Sequence, residues 1–112
     1  MRCCDKSIIT IIAFLILVSC SIQKPLMPIE VTYRKALLGE GLVASFHNSS
    51  QKHLAVVVIL TNPTLNQTKS LRLDLSPDVT REIGHLEGWA FASGDIIEIK
   101  HNDYRTLTVK VP

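Results

Sequence analysis

Aromatic residues are scarce in this chain, at 5% of 112 residues. Cysteine stops early: Cys3, Cys4 and Cys20 are followed by none. No block of like charge occurs, and 12 basic against 10 acidic residues leave a formal net charge of +2. Each shortage excludes something. Balanced charge removes the counterion-release drive of a nucleic-acid binder and leaves no charged tail. A chain this short allows one small domain. Without cysteine that domain cannot be a disulfide scaffold, so its apolar core has to hold it alone.

The longest apolar run, Ile8 to Val18, is interrupted only by Thr10. As a helix at about 1.5 Å per residue it would reach about 16 Å, half of a bilayer's hydrocarbon core. That is too short to span a membrane. Preceded by Arg2 and Lys6, it has the layout of a secretory signal. The run stops at Leu17-Val18-Ser19-Cys20. These four residues resemble the bacterial lipobox, an aliphatic residue and two small or medium ones before a cysteine. The resemblance implies that residues 1–19 form a helical signal peptide that is removed. It implies that Cys20 becomes the lipid-bearing N-terminus, carrying diacylglycerol and palmitate. Ser21 in the next position, where aspartate favours inner-membrane retention in enterobacterial lipoproteins, implies the periplasmic face of the outer membrane. Removal of the signal leaves roughly 90 residues, above the ~40 below which staples or metals are usually needed.

Residues 20–28 read as a lipidated tether, with Pro25 and Pro28 blocking regular pairing. From Ile29 to Pro112 the apolar period is two. Ile29, Val31 and Tyr33 alternate with polar residues, as do Leu71, Leu73 and Leu75, and Leu107, Val109 and Val111. Leu42, Ala44 and Phe46 repeat the pattern, and "DIIEIK" at 95–100 gives another run. Alternation of this kind marks half-buried antiparallel strands. "LAVVVIL" at 54–60 is apolar on both faces and rich in β-branched residues. It reads as a central strand whose second face is covered by a loop or serves as a contact surface. Residues 47–52, 61–70 and 76–78 read as turns, and 101–103 closes a hairpin. With a short strand at Thr80–Ile83 there are seven, which predicts an all-β, seven-stranded antiparallel β-sandwich and no helix after the signal.

The runs "NSSQKHLAVVVILTNP", "LRLDLSPDVTREIGHLEGW" and "SGDIIEI" resemble an immunoglobulin- or fibronectin-III-like bacterial envelope module. The resemblance covers Phe46 to Pro112. It specifies a fold and carries no shared activity. The cysteine pair of antibody domains is absent.

Chemistry-bearing residues are few. His47, His53, His85 and His101 are weak metal-ligand candidates: His47 and His53 flank one turn, His85 and His101 sit in two others, and sites need converging ligands. Soft ligation is poorly supplied, because no cysteine remains and Met27 lies in the tether. Asp95, Asp103, Glu87 and Glu98 offer no recognisable acid–base pair, and no G-x-S-x-G elbow is present. Asp95, after Gly94, reads as a local backbone acceptor. The sequons "NSS" and "NQT" are discounted because the lipobox points to a bacterium. In residues 84–94 lie Trp89, the only tryptophan, and Phe91. Trp89 is expected to plug one end of the core; as an alternative, Trp89 and Phe91 form an interface. The expectation is a non-enzymatic, cofactor-free, lipid-anchored module that holds a protein partner at the membrane. The alternatives are a small-ligand or metal-binding domain using the loop histidines, and an enzyme acting on cell-wall polymer.

Overall fold

A computed structural model describes residues 23–112. The signal segment, Cys20 and Ser21 lie outside the described residues. Seven strands follow in chain order: β1 (Ile29–Lys35), β2 (Leu42–Asn48), β3 (Leu54–Asn62), β4 (Gln67–Leu75), β5 (Thr80–Ile83), β6 (Ile96–His101) and β7 (Tyr104–Lys110). All pairings are antiparallel. One sheet has the order β1-β2-β5 and the other β4-β3-β6-β7. The chain crosses between sheets at β2–β3, β4–β5 and β5–β6. Constant-type immunoglobulin domains set the fourth strand beside the fifth; here it pairs with β3.

Alternation produces the core. Along β3, Leu54, Val56, Val58 and Leu60 are all buried. The register sets Val56 beside Leu73 and Leu60 beside Ile97. Phe46, Leu75, Ile83, Phe91, Ile99 and Val111 complete the same cluster. Burying a side chain of this size contributes about 1.5–3 kcal/mol, which is how an unstapled domain can stand.

Three features correct or refine the expectations. First, β4 begins at Gln67, inside the stretch read as a turn: Gln67–Ser70 pairs with Asn62–Ile59. The polar residues of that extension carry no apolar period. The true turn is Pro63–Asn66, held by Leu65 N–H donating to Asn62 Oδ1 at 3.0 Å and by Asn66 at φ 53°. Second, among the described residues no loop covers the outer face of β3, which leaves the open surface that was the alternative expectation. Ala55 is exposed and Val57 is 36% exposed, with Arg72 and Lys100 beside Val57 in the register. Third, a single 3-10 turn, His85–Glu87, stands where no helix was expected.

Strand directions give the sandwich two distinct ends. The N-terminal segment meets loops 48–54, 75–80 and 101–104 at one end; loops 35–42, 62–67 and 83–96 form the other. Lys24 to Pro28 are stitched to the near end. Arg105 N–H donates to Pro25 O at 3.0 Å, and Ser49 N–H to Pro28 O at 3.0 Å. Arg105 Nε donates to Lys24 O at 2.8 Å. Met27 is buried in the core cluster.

Asn48 organises that near end. Fully buried, its Nδ2 donates to the carbonyls of Lys52 (2.7 Å), Leu75 (2.9 Å) and Ser76 (3.2 Å). Its Oδ1 accepts from Ser50 N–H at 2.9 Å and from Ser50 Oγ at 2.7 Å. The amide of this sequon is therefore spent inside the fold. Asn48→Asp keeps the shape but sets a carboxylate against three carbonyls. It should lower stability by about 3 kcal/mol or more, read as a drop in the urea midpoint of the full chain.

Candidate functional site

Two clefts of about 290 Å³ each open at opposite ends of the sandwich. The more apolar one lies at the far end. Its floor is Val43, its walls Leu37, Leu38 and Leu86, and the Arg34–Glu82 pair stands at its rim. Leu37, Leu38 and Leu86 are 89%, 80% and 85% exposed. Scattered single leucines need no explanation, whereas apolar side chains gathered around one cleft mark an interaction site.

Local chemistry holds these loops open in this shape. Glu87 Oε1 accepts from Gly84 N–H at 2.6 Å, capping the 3-10 turn. Gly88 ends it at φ 93°, a left-handed conformation that glycine adopts without cost. Gly84 must lack a side chain, because a Cβ there would lie 2.9 Å from Val43 Cγ2. The His85 ring lies over Gly39, which ties loop 35–42 to loop 83–96. Arg34 Nε and Nη2 donate to the two Glu82 carboxylate oxygens, each at 2.9 Å. Their guanidinium–carboxylate hydrogen bonds hold the Glu82 carboxyl below its usual range.

Behind the cleft, Trp89 and Phe91 sit inside the domain, 9% and 1% exposed. Their rings meet edge-on at 6.4 Å. Trp89 Nε1 donates to Asp95 Oδ2 at 3.2 Å, and Ala92 N–H donates to the same oxygen at 3.0 Å. Asp95 thus accepts from the local backbone, as its place after Gly94 suggested, and also from the indole six residues before it. Phe91 bridges to Leu42: Leu42 N–H donates to Phe91 O at 3.0 Å.

The structure separates the histidines. His85 belongs to the far cleft and His53 and His101 to the near one. His47 stands on the outer face of the three-stranded sheet. Among the described residues no three His, Cys, Asp or Glu side chains converge on a metal position. His47 Nε2 lies 2.8 Å from Asp78 Oδ1 and its Nδ1 3.1 Å from Glu30 Oε1. Both ring nitrogens face carboxylates, so only the protonated ring can donate to both. Hydrogen bonds to Asp78 and then Glu30 raise its pKa above the usual 6.5.

Leu37, Leu38 and Leu86 were not singled out from sequence. One signal was available: "ALLGEG" breaks the alternation with two adjacent leucines before two glycines, and adjacent residues cannot both face one core. Comparison with protein-family models, with curated proteins and with solved structures finds no match to this chain.

Two outcomes follow. Trp89→Ala removes a buried ring and should cost about 3–5 kcal/mol, whereas an exposed anchor would shift stability by about 0.5 kcal/mol at most; a urea melt separates them. For His47, a pKa raised in the folded state gives stability that is fully present below about pH 6.5 and is lost as pH rises through the folded value. The urea midpoint should therefore fall as pH rises above about 6.5, and His47→Gln should remove that part of the slope.

Proposed function

We propose that this chain is a non-enzymatic, lipid-anchored envelope module that holds a protein partner at the periplasmic face of the outer membrane. The lipobox-like Leu17-Val18-Ser19-Cys20 places a lipid at Cys20. The observation that carries the partner reading is the exposed leucine cleft at the end of the sandwich opposite the N-terminal segment. With the lipid at Cys20, that end points away from the bilayer, so its leucines meet a protein. The chemistry that fits is an apolar segment of that partner, laid over Val43 between Leu37, Leu38 and Leu86. No catalytic constellation accompanies the cleft: Glu87 is spent on its cap and Glu82 on Arg34.

The test uses cells fed labelled palmitate, with a photo-crosslinking residue at Leu37 or Leu86, or at Ser70 on the other sheet as control. Wild type should take up label and the Cys20→Ala chain should not. Leu37 and Leu86 should give one discrete adduct that Leu38→Asp weakens about tenfold or more, as hot-spot changes do. Label retained by Cys20→Ala would refute the anchor. Equal adducts from Ser70, none from Leu37 and Leu86, or an adduct of twice the chain's own mass would refute the partner reading.

A further inference from the structure

The near-end cleft is built differently from the far one. It is lined by charged and aromatic groups over an apolar floor formed by Leu54 and Pro25. Lys52 brings a cation, Asp103 an anion and Tyr104 a ring. Their positions are held by the fold. Lys52 O accepts from buried Asn48 at 2.7 Å, and Lys52 N–H donates to Ser50 Oγ at 3.2 Å. Asp103 N–H donates to His101 Nδ1 at 3.0 Å. Because Nδ1 accepts, the ring proton of neutral His101 sits on Nε2, which makes that nitrogen a donor. The His101 ring packs edge-on to Tyr104 at 5.2 Å.

The groove thus offers two opposite kinds of recognition side by side. The Lys52 ammonium and an imidazole N–H suit a phosphate. The Asp103 carboxylate and the face of Tyr104 suit an ammonium group. A lone phosphate would leave Asp103 as an unpaired like charge. A lone amine would meet Lys52. A zwitterion carrying both groups answers both.

The groove's place in the chain says where such a zwitterion would come from. Pro25, part of its floor, is fixed to β7 through Arg105. The next residue, Leu26, is 72% exposed while Met27 is buried. Only Cys20 to Gln23 separate the fixed segment from the lipid, a reach of about 14 Å at about 3.5 Å per residue. We infer that the groove of Lys52, His101, Asp103 and Tyr104 binds the phosphoethanolamine headgroup of a bilayer lipid beside the anchor, with Leu26 dipping into the same surface. This inference rests on the lipid-anchored reading. Tethering raises the effective headgroup concentration to the millimolar range, so a weak site is filled.

The test is an NMR titration of the full chain in detergent micelles. The probes are O-phosphoethanolamine, inorganic phosphate and ethanolamine, each added alone. A second arm places the chain in nanodiscs of phosphatidylglycerol with or without phosphatidylethanolamine. O-phosphoethanolamine should shift the Lys52, His101 and Asp103 amides to saturation, at least tenfold more tightly than either half-probe. Lys52→Gln and Asp103→Asn should each weaken it about tenfold, the rest of the spectrum unchanged. Phosphatidylethanolamine in the nanodisc should move the same amides. Equal binding of inorganic phosphate would make this a simple anion site and overturn the zwitterion. Shifts elsewhere, no saturation, or indifference to nanodisc lipid would overturn the headgroup. Palmitate labelling is independent of all these signals. A labelled chain with a silent groove keeps the anchor and loses this inference. An unlabelled chain that still discriminates the zwitterion keeps the groove and loses the anchor.

Discussion

A two-sheet sandwich with no covalent link between its sheets must be closed at its ends by weaker bonds, and everything else in this domain depends on how that is done. Among the described residues the buried polar side chains are Asn48 and Asp95, one at each end. Asn48 gathers three carbonyls from two loops. Asp95 gathers the Trp89 indole and the Ala92 amide. Neither leaves a buried polar atom unsatisfied. A half-satisfied network would cost more than an apolar one, so completeness is what lets two polar groups stand in for a staple.

The two closures give the ends different surfaces. At the near end, Asn48 fixes the Lys52 loop, and β7 holds the N-terminal segment beside it, so charged groups surround a groove next to the segment's start. At the far end, the indole and Phe91 are used up inside. The 3-10 turn then rides on top, and its Leu86 faces outward with Leu37 and Leu38. A rigid body between a polar groove and an apolar cleft suits a module anchored at one end and engaged at the other. The outer face of β3 completes the contrast. Its narrow apolar stripe is open but lies between Arg72 and Lys100, charges of the kind that discourage edge and face association.

Much of this fold was legible because a strand with one dry face must alternate. Six strands appear where period two, or the β-branched run at 54–60, placed them, and the short β5 appears at Thr80–Ile83 as expected although it shows no alternation. The polar start of β4 was not legible, since Gln67, Thr68 and Lys69 pair in the ladder without a dry face to mark them. Asn48 was readable only as a turn former in "HNSSQK". Nothing in the local sequence says that its amide turns inward to meet Leu75 and Ser76, residues distant in the chain. Asp95 was half legible: its backbone role followed from the turn, whereas its indole partner six residues back depends on how loop 83–96 folds. The same distinction explains the clefts. Trp89 drew notice as a rare residue, whereas the leucines around the far cleft are common ones made conspicuous only by where loops 35–42 and 83–96 meet.

In the proposed anchored state, the Asn48 end would face the bilayer and the leucine end would face away. Strands of seven residues at about 3.3 Å each set the two ends roughly 20 Å apart, enough for a distance-dependent probe to tell them apart. The most direct measurement is amide signal broadening of the full chain in nanodiscs doped with a lipid whose headgroup carries a paramagnetic ion. Lys52 and Asn102 should broaden strongly while Leu38 and Gly88 keep their intensity. Uniform broadening, or stronger broadening at Leu38 and Gly88, would contradict it.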